Sequence, residues 1–347
     1  MKPNTLYLED CLELMSRMEG NFVDLIYLDP PFNSNRNYQT HDGEVAFSDF
    51  WKWSKHCDSR YLKIKLDLDN PSRAALIGLF QILGQSSMMS YLFYMAERLV
   101  ECKKVLKDTG SIYLHCDSTA SHYLKVLMDK IFGSNNFRNE IVWYYGGRGA
   151  KAISRQFSRN KDVILYYTMN NGNHRFNKQS NTHRYTLEES IKKGFRKDEK
   201  GRWFKTSPRG DYTDKSIERL RKEDRVYKTK TGSIRIKYFL ETSNRNNQVV
   251  IENKLIDDLW FDIPDAMHMP KKEKTGYPTQ KPLELLRRII KASSNEGDLV
   301  LDPFCGSGTT LEAAEQLDRK WIGIDVFPQA LNISEKRLKK YKSKILK

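Results

Sequence analysis

The sequence predicts an α/β protein with a doubly wound, mostly parallel sheet, and three observations carry that prediction. Short apolar runs end abruptly at acids, as in Val23-Asp24-Leu25-Ile26-Tyr27-Leu28-Asp29 and Asp298-Leu-Val-Leu-Asp302. Stretches with helical spacing alternate with these runs. One run breaks into a glycine turn, Pro303-Phe-Cys-Gly-Ser-Gly-Thr-Thr310, and a helical stretch follows it. Near-continuous apolar runs are the mark of parallel strands buried on both faces, and their alternation with helices is the mark of crossover connections.

In chain order, Leu6-Tyr7-Leu8 reads as a strand, followed by a helix over Cys11–Met18 with Leu12, Met15 and Met18 on its apolar side. The strand at 23–29 comes next. Residues 33–84 lose the pattern and read as a long insertion carrying Phe47, Phe50, Trp51 and Trp53, either a lid or binding loop or a small packed excursion. From Ser87 to Leu106, Met88, Leu92, Met95, Leu99 and Cys102 step by three and four, which predicts an amphipathic helix ended by Thr109-Gly110. A strand follows over Gly110–Asp117, and Ser118 is expected to cap the next helix. Ile141–Tyr145 and Val163–Tyr167 read as strands. Between them lie Gly146-Gly-Arg-Gly149 and a basic stretch with Lys151, Arg155, Arg159 and Lys161. Strand candidates at Ile234–Phe239 and Val249–Ile251 stand among polar runs. The pattern then returns: a helix over Leu283–Ser293 behind Pro282, strands at 298–302 and 321–325 with the helix Leu311–Leu317 between them, and a last helix opened by Pro328.

The chain has 347 residues, of which 39% are hydrophobic and 30% charged, so it can bury a full core and reads as globular, with about two domains. No apolar run has membrane-spanning length and no signal peptide is visible, which gives an expectation of a cytoplasmic protein with no membrane partner. The five cysteines are scattered, without Cys-x-x-Cys or His-x-x-x-His spacing, and argue against both a disulfide framework and a structural zinc site. No metal is expected. The formal net charge is +15, and residues 171–250 hold 21 Lys and Arg against 10 Asp and Glu, a net of +11. Aromatics are interleaved there, among them Phe195, Trp203, Phe204, Tyr212, Tyr227 and Tyr238. Mixed cations and aromatic faces suit a nucleic acid.

Two strand ends carry the chemistry. Proline has no N–H for a central ladder, so Asp29-Pro30-Pro31-Phe32 is a forced exit from the sheet with an acid held rigidly at it. The turn with Gly306 and Gly308 lets a backbone approach a ligand at a helix N-terminus. No Gly-Lys-Ser/Thr follows, so it is not a phosphate-cradling loop of the nucleotide triphosphatases. Asp325 ends the next strand about twenty residues on, where a carboxylate accepts from ribose hydroxyls. His115 and Cys116, at another strand end, read as core rather than catalytic groups.

Taken together, Asp29-Pro-Pro-Phe32, Thr279-Gln-Lys-Pro282 and Asp302-Pro-Phe-x-Gly-Ser-Gly-Thr-Thr310 resemble the S-adenosylmethionine-dependent amino-group DNA methyltransferases. The order, catalytic motif first and cofactor motif last, is similar to the permuted beta group of that family. The resemblance covers about 1–168 and 276–335. It implies a Rossmann-like methyltransferase sheet in permuted order. The catalytic part would be 1–170, an inserted target-recognition domain 171–275, and the cofactor-binding part 276–347. It further implies that Asp29 and the Pro30 carbonyl accept hydrogen bonds from the amino group of a flipped base. Pro31 would stiffen the turn and Phe32 would stack on the base, with Tyr38 and Trp143 as further stacking candidates. Phe304, Gly306, Gly308 and Thr309 would line the cofactor's methionine end, and Asp302 would also bind the cofactor. Asp325 would hold its ribose, Asp10 would lie by its adenosine, and Thr279 and Lys281 would reach it from the segment packed over it.

The implied activity is site-specific methylation of adenine N6 in double-stranded DNA, since the Asp-Pro-Pro-Phe form leans to adenine. Methylation of cytosine N4 is the alternative within the family, and a non-catalytic DNA-binding protein is the alternative outside it. Methylation of cytosine carbon-5 would need a cysteine after a proline, and the chain has no Pro-Cys. A homodimer and a cognate restriction endonuclease are the further partners the resemblance implies.

Overall fold

The protein is described by a computed structural model covering residues 1–34, 36–39, 45–146, 155, 157–243 and 249–341. Gly147–Gly149 and Lys151, read above as part of a glycine-rich basic stretch, lie outside the described residues. The chain forms two compact units, Met1–Asn177 with Asp257–Lys347, and Lys178–Ile256.

The larger unit is built on eight strands: β1 (Thr5–Leu8), β2 (Val23–Leu28), β3 (Leu106–Cys116), β4 (Phe137–Tyr144), β5 (Lys161–Thr168), β6 (Leu259–Trp260), β7 (Leu299–Asp302) and β8 (Lys320–Asp325). Their order across the sheet is β1-β8-β7-β2-β3-β5-β4-β6. Every neighbouring pair is parallel except those made by β5, which runs antiparallel to β3 and β4. This is the mostly parallel α/β sheet that the sequence predicts. The last two strands of the chain lie beside the first two. As a result, the carboxyl ends of β1, β2, β7 and β8 form one edge.

Successive residues of β3 alternate between two buried layers. Ile112, Leu114 and Cys116 join a core with helices α1 (Cys11–Ser16), α2 (Lys55–Leu66), α3 (Arg73–Leu83), α4 (Ser87–Val105) and α5 (Ser121–Phe132). Tyr113, on the other face, bonds Ser293 of helix α6 (Leu283–Ser293) at 2.7 Å. Burial on both faces is why these strands read as unbroken apolar runs. The set is completed by α7 (Thr309–Gln316) and α8 (Pro328–Leu338).

Several expectations need correction. Helix α4 ends at Val105, before Thr109-Gly110; Gly110 instead lies inside β3, where a Cβ would stand 2.7 Å from a Leu106 methyl. Ser118 does not cap α5. Asp117 shapes that turn, accepting from the Thr119 and Ala120 amides at 2.9 and 3.2 Å. The 33–84 stretch is not a continuous loop. After an antiparallel hairpin (Asn37–Gln39 with Val45–Ser48), α2 and α3 bury Cys57, Ile64, Leu76 and Leu79 in the main core. Trp53 packs tilted against Phe80 and Phe93 and Trp51 also packs on that core, whereas Phe50 is exposed and Phe47 lies on the hairpin.

The middle unit is also narrower than 171–275. Residues 257–263 return to the large sheet, where β6 pairs with β4 and Trp143 donates its indole N–H to the Ile263 carbonyl at 2.9 Å. The smaller unit has a four-stranded antiparallel sheet containing Trp203–Pro208 and Ile234–Phe239. It also has a three-stranded one pairing Val249–Leu255 with Ser180–Thr186. The helix Asp214–Lys222 buries Ile217 and Leu220 against Ile236. This unit carries 21 Lys and Arg against 11 Asp and Glu, a net of +10. Among the described residues, no helix is long and apolar enough to cross a membrane.

Candidate active site

The shared carboxyl edge of β1, β2, β7 and β8 walls a cavity of about 330 Å³, within the range of small-ligand sites. Of the residues singled out from the sequence, Asp10, Asp29, Pro30, Pro31, Phe32, Thr279, Lys281, Asp302, Phe304, Gly306, Thr309 and Asp325 all line it. Gly308 does not. It begins α7 with φ +73, and a Cβ there would meet the Ser334 Oγ at 2.6 Å, so the glycine allows α7 and α8 to approach. Trp143 is also absent from the cavity wall. It is buried edge-on to His115. Tyr38 lines the cavity with one ring face stacked on Phe47 at 4.5 Å.

Asp29 follows β2 directly. Its Oδ2 accepts from the Lys281 ammonium at 2.5 Å, while its Oδ1 is buried and has no hydrogen-bond partner. Lys281 thus meets Asp29, and its Nζ also lies 5.4 Å from the Phe32 ring centre. A buried acceptor without a donor costs about 1–3 kcal/mol, which a ligand N–H aimed at it would recover. Thr279, two residues before Lys281, holds φ +59. That conformation is rare for a β-branched residue and marks a strained turn at the cavity wall.

The glycine turn is clamped from several sides. The Gly306 amide donates to Asp325 Oδ2 at 2.9 Å, and its carbonyl accepts from the Ser334 hydroxyl at 2.8 Å. A side chain at Gly306, where φ is +49, would come 3.2 Å from the Tyr277 ring. The buried Arg337 guanidinium donates to the Ser307 carbonyl at 3.1 Å and to Thr309 Oγ1 at 2.9 Å. Asp325 also accepts from the Phe327 amide at 3.0 Å. Burial pushes its carboxyl up to about 6, against the opposing pull of those amides. Burial likewise raises Asp302 to about 7, helped by the charges of Asp29 and Asp325 and opposed by the Thr310 hydroxyl and the Phe304 amide. Asp10 caps α1 through the Leu12 amide at 2.7 Å and takes two bonds from Arg98, at 2.6 and 2.9 Å. Arg98 in turn lies 3.4 Å over the ring of Tyr94, which faces the cavity.

Three groups behind the Asp29–Phe32 turn are not placed at the site by sequence patterns, His115 having read as core. His115 is fully buried and stacks parallel to Phe32 at 5.9 Å. It joins the Tyr27 hydroxyl at 2.9 Å to Asp162 at 3.2 Å. Burial raises the Asp162 carboxyl, but the hydrogen bond and charge of His115 outweigh it and leave it lowered. Asp49, the second, holds the backbone after Phe32. The third, Tyr277, covers the glycine turn. None of them belongs to a motif; a polar residue in the insertion and a histidine inside a strand give no periodic signal.

A glycine turn, a carboxylate at the end of the next strand and a cavity at the sheet's carboxyl edge define an α/β protein with a nucleotide-cofactor site. A DNA methylase family model matches residues 23–336, nearly the whole chain. The chain therefore belongs to the DNA methylase family. The type II methyltransferase M.EcaI of Enterobacter cloacae is 28% identical over 345 residues, an alignment covering 93% of this chain and 66% of that protein. This chain thus spans slightly less than two thirds of M.EcaI. The DNA adenine methyltransferase YhdJ of Escherichia coli strain K12 is 25% identical over 329 residues, covering 95% of this chain and 80% of that protein. In structure the chain is similar to the PvuII DNA methyltransferase, described as cytosine-N4-specific, with a TM-score of 0.52. The two share 13% identity, over 97% of this chain and 86% of the other. That likeness is one of fold.

A ligand whose hydroxyls donate to Asp325 favours the ionised carboxylate. Its affinity should therefore be full above about pH 6 and fall as pH drops through that value. Calorimetric titration of S-adenosylmethionine from pH 5 to 8 checks this. Asp325→Asn should flatten the pH dependence and weaken binding about tenfold at pH 8.

Proposed function

We propose that this protein transfers the methyl group of S-adenosylmethionine to the N6 amino group of adenine in double-stranded DNA. The observation that carries the proposal is Asp29, whose buried Oδ1 has no hydrogen-bond partner, lining the same cavity as the Gly306 turn and Asp325. The residues fit such a cofactor. Gly306 leaves backbone open under Tyr277, Asp325 offers carboxylate acceptors to ribose hydroxyls, and Phe304, Thr309 and Tyr94 supply the remaining wall. When bound, S-adenosylmethionine supplies an electrophilic methyl carried on a sulfonium.

The chain's own part is to prepare the amino group. An exocyclic amine attacks poorly because its lone pair is conjugated into the ring. Asp29 Oδ1 accepts one N–H of that group and the Pro30 carbonyl the other. Two acceptors favour a more tetrahedral nitrogen with its lone pair free. As transfer proceeds, positive charge develops on the nitrogen, and the Asp29 carboxylate beside it stabilises that charge. Lys281 holds the other carboxylate oxygen, so the acid is oriented before the base arrives. Phe32, backed by His115, offers its ring to the base. Extrusion of the base costs a few kcal/mol, offset in such a pocket by stacking and by these hydrogen bonds.

The unit Lys178–Ile256 is the target-recognition domain in this reading, supported by its net charge of +10 and its interleaved aromatics. Its cations contact phosphates and set register, and base-edge contacts give the site. A cognate restriction endonuclease is the partner the reading carries, and a second copy of the chain is an expectation of the same kind.

Asp29→Ala should reduce methyl transfer to DNA by at least about 100-fold while S-adenosylmethionine binding stays within about threefold. Tritium transfer alongside calorimetry measures both, and retained transfer would remove Asp29 from the mechanism. DNA affinity should fall steeply between 50 and 200 mM salt, by about tenfold or more, read by fluorescence anisotropy.

A further inference from the structure

Asp49 is 1% exposed and carries an unusual set of partners. Its Oδ2 accepts from the Phe32 amide at 3.1 Å and the Ser34 amide at 2.7 Å. Its Oδ1 accepts from the Asn33 amide and from the Trp51 indole, both at 2.8 Å. Three consecutive backbone amides thus converge on one carboxylate that the chain itself supplies. Among the described residues, no ion pair with Asp49 is formed.

We propose that Asp49 is a positioning residue for methyl transfer, fixing the backbone that follows Asp29 so that Pro30 and Phe32 meet the target base in reactive geometry. The proposal rests on the methyltransferase reading above. The physical case starts from the two prolines. Neither Pro30 nor Pro31 has an N–H, so Phe32 is the first residue past Asp29 able to anchor the turn through its amide. Asn33 then adopts φ +60, which sends the chain away from the sheet. These amides have left the ladder, and a buried amide without an acceptor costs about 1–3 kcal/mol. Successive amides in such a turn form a concavity suited to an anion, and Asp49 fills it.

Asp49 also fixes the turn to the rest of the site. Its own amide donates to the Arg36 carbonyl at 2.9 Å, closing the base of the hairpin that carries Tyr38 and Phe47 to the cavity. Trp51, held by its indole, packs 5.3 Å from Tyr91 and 4.7 Å from Tyr94 on α4. Asp49 therefore couples the catalytic turn, the hairpin and the cofactor wall. Asp49 and Trp51 both line the cavity, and the Asp49 oxygens bond the three amides and the Trp51 indole.

The test compares the wild-type 347-residue chain, Asp49→Asn and Trp51→Phe in methyl transfer at saturating S-adenosylmethionine, with cofactor affinity measured separately. Asp49→Asn should lower kcat by about 100-fold and leave cofactor affinity within about threefold, because turn geometry rather than cofactor binding is lost. Trp51→Phe removes one donor and should lower kcat by about three- to tenfold, with a smaller loss of cofactor affinity because Trp51 also lines the cavity. It carries the test if Asp49→Asn does not fold. Hydrogen exchange of a peptide spanning 32–34 should speed up in both variants. Unchanged kcat, or a loss of cofactor affinity equal to the loss of kcat, overturns the positioning role. Absence of transfer by the wild type overturns the underlying reading instead, a result distinct from wild-type activity with unaffected variants.

Discussion

The parallel pairing of Val300 with Leu25 and of Leu301 with Ile26 joins the two ends of the chain. A ladder of this kind places strand ends side by side whatever their separation in sequence. Here it sets Asp302, which leads into the glycine turn, next to Asp29, which leads into the two prolines. The neighbouring ladder of β7 with β8 adds Asp325, and that of β8 with β1 adds Asp10. Lys281 then closes the site across a separation of 252 residues in sequence. The cavity depends on these registers, because a parallel register error of one residue would turn each side chain to the opposite face.

The convergence has an electrostatic cost. Several carboxyl groups face one cavity and little water. Burial raises Asp302 to about 7, so it is only partly ionised near neutrality, and Asp325 to about 6, so it is mostly ionised there. The Lys281 ammonium stands against Asp29. The same burial keeps the hydroxyls of Tyr27 and Tyr277 neutral, so they add no charge. A cofactor bringing hydroxyl donors and positive charge would relieve this concentration of acids, which gives a physical reason for its binding beside Asp29.

Much of this was legible in the sequence because the relevant forces are local. Burial on both faces writes an apolar run, and a ligand turn needs glycines at fixed spacing, so β2, β7, β8, Asp29 and Gly306 could be read directly. Features that depend on distant partners could not. Asp49 is one acid in an irregular stretch; its role exists only once three amides fold back onto it. Gly110 resembles a helix terminator, and only its approach to Leu106 shows why a strand requires glycine there. Gly308 lies in the motif, yet it serves helix packing against Ser334 rather than the cavity. The helices at 55–83 were hidden because α2 buries little apolar surface and so has a weak periodicity.

The most direct measurement is the identity of the methylated nucleoside. DNA incubated with the 347-residue chain and methyl-labelled S-adenosylmethionine is digested to nucleosides and read by mass spectrometry. The account predicts label in N6-methyl-2′-deoxyadenosine. Label in N4-methyl-2′-deoxycytidine would contradict the assigned base, and no label in any natural DNA would contradict the assigned activity.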